Sequence, residues 1–109
     1  MAYDNVLASR VNAILAGLPG LSEKKMFGGI GYLQNGNMAC GVHKDYLIVR
    51  VGPDRYQAAL DQDHTKVFDI TGRPMMGWVM VAPEGVVDEQ DLKQWVQQGV
   101  DFSSTLPPK

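Results

Sequence analysis

Apolar positions near the start of the chain recur at helical spacing. Leu7, Val11, Ile14, Leu15 and Leu18 share one side, Asp4 stands where a cap belongs, and Gly17, Pro19 and Gly20 end the run. Further on the period changes to two. In "MFGGIGYLQNGNMACGVHKDYLIVRVG" the pair Asn35-Gly36 separates two apolar segments and predicts a two-residue hairpin turn. Pairing outward from that turn sets Leu33 opposite Met38, Gly31 opposite Cys40 and Gly29 opposite Val42, with Phe27 on the same side. A second tight turn at Lys44-Asp45 sets Val42 opposite Leu47 and Cys40 opposite Val49, so Leu47, Val49 and Val51 join that side. The two turns agree, and this first face is expected to pack against helices, with Gly29 and Gly31 allowing their close approach.

Beyond Gly52, Pro53 opens a short helix through "RYQAALDQ", "KVFDI" and "GWVMVA" read as short strands, and Asp88 caps a last helix. That helix carries Leu92, Trp95, Val96 and Val100 on one side, with Phe102 and Leu106 flanking its end. Which of the pairs Trp78/Met80 and Val79/Val81 faces the core is left open by alternation alone. The expected fold is α+β: one domain over residues 1–109, with the order α-β-β-β-α-β-β-α and a five-stranded antiparallel sheet flanked by helices.

The same register sends Met26, Ile30, Tyr32, Ala39, Gly41, His43, Tyr46, Ile48 and Arg50 to the second face. That set is too apolar for a fully solvated surface, which marks either cover by the chain itself or a contact surface. Ile30, Tyr32, His43, Tyr46, Ile48 and Arg50 are the candidate interaction residues, for a protein partner or a second copy. His43, Tyr46 and Arg50 form the polar part, able to orient an acidic group.

Composition narrows the chemistry. Ten Lys and Arg against twelve Asp and Glu give a net charge of −2, and the basic residues are scattered along the chain, so no strong nucleic-acid signal is present. No apolar run approaches the roughly 18 residues of a membrane span, no secretory leader opens the chain, and a lone cysteine suits a reducing compartment; a cytoplasmic location is expected. Neither a Rossmann fingerprint nor a phosphate-loop Gly-Lys-Ser/Thr occurs. Cys40 and His43 lie three apart on a strand, hence on opposite faces, which separates the one nucleophile–base pair the sequence suggests. His64 near Asp61 and Asp63 has neither zinc spacing nor a calcium loop around it. No catalytic residue, metal or cofactor is expected.

The segments "KMFGGIGYLQNGNMACGV", "YLIVRVG" and "RPMMGWVMVAPEG", followed by a helix carrying Trp95, resemble the N-terminal domain of the TfoX (Sxy) family over nearly the whole chain. The resemblance implies a helix-flanked antiparallel sheet of the secretion-chaperone-like type. It also implies a link to bacterial proteins that promote competence genes together with a cyclic-AMP receptor protein, and it supplies no catalytic residues. Full-length regulators carry a second, helical domain, whereas this chain ends at "LPPK" after its last helix, which implies a stand-alone domain. The expected function is a non-enzymatic interaction or regulatory module. The alternative is a small-molecule-binding or enzymatic domain that uses the second face.

Overall fold

The computed structural model describes residues 3–26, 28–69 and 72–108, and of Met26 the backbone alone. Helix α1 (Asn5–Leu15) starts where Asp4 accepts hydrogen bonds from the Val6 and Leu7 amides at 2.9 and 3.1 Å, so two orphan donors of the first turn are satisfied. Four strands follow in succession: β1 (Leu21–Met26), β2 (Gly29–Gln34), β3 (Asn37–His43) and β4 (Tyr46–Arg50). A 3-10 turn (Pro53–Arg55) leads into α2 (Tyr56–Leu60). Then come β5 (Thr65–Val67), β6 (Trp78–Val81), a second 3-10 turn (Pro83–Gly85) and α3 (Glu89–Ser103), capped by Asp88 through the Gln90 amide.

All strand pairs are antiparallel, in the order β1-β2-β3-β4-β6-β5. The sheet therefore has six strands, not the expected five. The additional strand is β1, "LSEKKM", whose residues 22–25 are exposed because it closes one edge of the sheet and has little to bury. Strand β6 pairs between β4 and β5, so β4 and β5 run in the same direction with α2 crossing between them.

Both expected turns are present. Asn35 and Gly36 take φ values of 51° and 84°, the double left-handed geometry of the tightest hairpins, and Lys44 takes 54°. The pairings Val42 with Leu47 and Cys40 with Val49 hold, and so does Leu33 with Met38. Between the two turns, however, lies a β-bulge: Tyr32 pairs with Cys40 and Leu33 with Met38, leaving Ala39 as the extra residue. One extra residue inverts every β2 side chain relative to the expected register. Ile30 and Tyr32 therefore point into the helix-packed core with Ala39, Cys40, Val42, Leu47, Val49 and Val51, while Gly29, Gly31 and Leu33 turn to the other face. The expectation for Phe27 lies outside the described residues.

The core confirms the inversion. Tyr32 is 2% exposed, and its hydroxyl donates to the Ala8 carbonyl of α1 at 3.0 Å. The glycine that admits a helix is Gly99 of α3, not Gly29 or Gly31. A Cβ on Gly99 would lie 2.3 Å from the Ala39 carbonyl oxygen, so α3 rests directly on the bulge. Gln34 and Asn37 also face the helices. Ser103 Oγ donates to Gln34 Oε1 at 3.0 Å, and Asn37 Nδ2 donates to the Pro107 carbonyl at 2.8 Å, which ties the C-terminal segment down. Val79 and Val81 join this core, so Trp78 and Met80 belong to the opposite face.

Candidate functional site

All three helices contribute to the core on one side of the sheet. The apolar cluster on the other side is built from strands and their extensions alone: Ile48, Phe68 and Met80 are buried, and Tyr46 and Trp78 pack against them half-buried. This helix-free face can be traced straight across the sheet. Lys24 pairs with Gly31, Gly31 with Gly41, Gly41 with Ile48, Ile48 with Met80, and Met80 with Lys66. A lysine thus stands on each edge strand of the sheet. Gly41 has no room for a side chain, since a Cβ there would meet the Ile30 carbonyl oxygen at 2.6 Å and the Met38 terminal methyl at 2.8 Å.

Two cation–aromatic pairs occupy the β4–β6–β5 half. Lys66 Nζ lies 4.5 Å from the centre of the Tyr46 ring. The Arg50 guanidinium lies 5.2 Å from the Trp78 ring centre and 5.3 Å from that of Phe102, at the end of the sheet. Phe68 packs against Trp78 with ring centres 5.9 Å apart. Each such cation–ring contact contributes about 0.5–1 kcal/mol at an exposed position. Among the described residues the ion pair is Arg10 with Glu89, between α1 and the start of α3, so Arg50 and Lys66 of the helix-free face lie against rings rather than carboxylates.

The six candidate interaction residues do not form one patch. Ile30 and Tyr32 belong to the helix-packed core, removed there by the bulge. Ile48 is on the helix-free face but is 2% exposed beneath its neighbours. His43, Tyr46 and Arg50 are half-buried on that face, with His43 paired across the strands to Tyr46. His43 Nδ1 is buried and has no hydrogen-bond partner among the described residues.

Cys40 sits on the opposite side of the sheet, fully buried beside Val49, where burial pushes its thiol up to about 12. Burial, then the charge of Glu23, likewise pushes the Tyr32 hydroxyl up to about 12. His64 takes a left-handed φ of 67° in the loop before β5. It lines a cleft of about 530 Å³ with Asp61, Asp63, Glu84 and Asp91. Among the described residues no group of three or more His, Cys, Asp or Glu is placed to hold a metal ion. No described helix is long and apolar enough to cross a membrane.

Residues 13–103 match the TfoX N-terminal domain. The chain belongs to the TfoX N-terminal domain family. No curated protein and no solved structure matches it. The match runs from the last turn of α1 to the last residue of α3, so it takes in the six strands described for this TfoX N-terminal domain and both faces of its sheet.

Four residues of the helix-free face escaped the sequence reading: Lys66, Phe68, Trp78 and Met80. A signal for the last two was present. Val79 and Val81 are β-branched and pack well within a buried sheet, whereas a tryptophan suits a half-covered position. The placement of Lys66 depends on β6 inserting between β4 and β5, a long-range pairing with no local mark.

Proposed function

We propose that this TfoX N-terminal domain is a non-enzymatic regulatory module that acts by binding a partner on its helix-free face. The observation that carries the reading is the half-buried Tyr46 and Trp78, each with a cation against its ring, on the side of the sheet whose described apolar cluster includes no helix residue. A contact surface built on aromatic anchors uses such residues. The competing enzymatic reading needs a reactive group on the same face. The chain's thiol is buried on the opposite face with its pKa raised, and His43 is on the wrong side to activate it. The finer reading, control of competence genes and a fold of the secretion-chaperone-like type, rests on family membership.

A chromosomal replacement tests the helix-free face against a role that depends on the thiol. Transcript profiles are compared for the wild type, a deletion, Cys40→Ala and the double variant Tyr46→Ala/Lys66→Glu, with protein levels checked. The double variant is expected to reproduce the deletion at normal protein level, and Cys40→Ala to match the wild type. A wild-type profile from the double variant, or a deletion profile from stably expressed Cys40→Ala, contradicts the proposal.

A further inference from the structure

We propose that the partner of the helix-free face is single-stranded nucleic acid, with bases stacking at Tyr46 and Trp78 and phosphates meeting Lys66 and Arg50. The inference rests on the reading of that face as the binding surface and adds the chemistry of the ligand.

Charge segregation is the first support. The chain carries a net charge of −2, yet the strand positions of this face hold Lys24, Arg50 and Lys66 and not one carboxylate. Glu23 points to the other side, opposite Tyr32. Asp45 and Asp69 stand in the turns that follow β3 and β5, while four carboxylates line the cleft beside α3. Three of the ten cations, distant in sequence, thus share one face whose strand positions carry no carboxylate.

The second support is the kind of apolar group that accompanies them. Single-stranded nucleic acids are held where a positive surface tracks the backbone and aromatic rings receive the bases, because every base has a π-face. Tyr46 and Arg50 are four residues apart on β4, about 13 Å along an extended strand, so the two cation–aromatic pairs form separate stations on one surface. Each station holds a ring and a cation together, the two groups that a nucleotide requires. His43 pairs with Tyr46 and stands half-buried beside the first station. An acidic segment without apolar or aromatic side chains would use the cations and leave the rings without a function. A duplex is disfavoured, since reading its major groove calls for an inserted helix or ribbon and this face is a broad sheet.

The test is fluorescence anisotropy of end-labelled oligo-dT and oligo-U of about ten nucleotides, the site size of a small single-strand-binding domain. Binding is expected for one or both at low salt, with a log–log salt slope near −1.4 for two phosphate contacts at about 0.7 each. Lys66→Ala, at an exposed position, should lower the slope by about 0.7 with at most a small shift of the melting curve. Trp78→Leu and Tyr46→Leu should each weaken binding roughly tenfold. Lys93→Ala, exposed on α3, should change neither slope nor affinity.

Absence of any anisotropy change overturns the proposal. So does displacement of the oligonucleotide by an equal length of polyglutamate, which would identify an acidic protein segment as the ligand. Equal effects of Lys66→Ala and Lys93→Ala overturn it as well. If the transcript phenotype of Tyr46→Ala/Lys66→Glu holds while no oligonucleotide binds, the binding-module reading survives and only this assignment of the partner falls.

Discussion

Replacing Gly99 by alanine puts the contact between α3 and the bulge to a quantitative test, because two effects of opposite sign meet there. In an unconstrained helix interior, alanine is more favourable than glycine by about 1 kcal/mol. In this fold the added Cβ would lie 2.3 Å from the Ala39 carbonyl oxygen and 3.0 Å from its carbon, both backbone atoms held by the sheet. A comfortable carbon–oxygen contact is about 3.3 Å, so helix and strand must separate by about 1 Å. Overpacking of this kind costs roughly 1–3 kcal/mol, and the upper half of that range applies where no side chain can rotate away. The expected net result is a loss of about 1–2 kcal/mol, or about 4–8 °C in Tm for a domain of this size. Urea denaturation and thermal melts measure it, with exposed Gln97→Ala expected to stay within about 0.5 kcal/mol of the wild type. A Gly99→Ala variant as stable as the wild type, or more so, would mean that α3 does not rest on Ala39.

Val49→Asp should lose at least about 4 kcal/mol, since it places a charge among fully buried side chains, whereas Arg50→Ala should cost only about 1–2 kcal/mol, the worth of its contacts with the Trp78 and Phe102 rings. Ile48→Lys, a surface substitution by the sequence register, should instead destabilise the fold by about 2–4 kcal/mol in urea denaturation, because Ile48 is sealed under Phe68 and Met80. Tyr32→Phe should cost about 1 kcal/mol by removing the hydrogen bond to Ala8. In native protein Cys40 should react with thiol reagents only as fast as the structure opens. The same burial sets a pH dependence. The thiol titrates from a reference of 9.0 in the unfolded chain but at about 12 in the folded one, so between those values the unfolded state has lost a proton that the native state keeps. Stability is therefore full below pH 9 and falls as pH rises, by up to about 1.4 kcal/mol per unit. Cys40→Ala should weaken that fall in urea titrations from pH 8 to pH 10.5; an unchanged alkaline slope would contradict it.

Local signals carried much of this fold. Asp4 and Asp88 cap helices because their side chains can reach free amides, and Asn35-Gly36 turns because it tolerates positive φ, so each could be read within a few residues. The faces of β3 and β4 followed from the Lys44-Asp45 turn and proved correct between Cys40 and Val51. The β2 assignment failed at Ala39. Pairing outward from Asn35-Gly36 runs through a bulge that no residue type announces, and the helix that rests on the extra residue, through Gly99, is about sixty residues away in the chain. Strand β1 was missed because an edge strand with exposed lysines has no alternating pattern. The candidate site was half legible for the same reason. Tyr46 and Arg50 lie beyond the bulge on the correctly registered strand, while Ile30 and Tyr32 lie before it.

The division of the sheet into a helix-packed face and a helix-free face underlies every functional statement made about this chain, and aromatic nuclear Overhauser contacts of Tyr32 test it most directly. If the bulge is at Ala39, the Tyr32 ring protons will show contacts to the methyl of Ala8 on α1 and none to Ile48 or Met80. Contacts from Tyr32 to Ile48 or Met80, without any to Ala8, would place it on the helix-free face and contradict the account.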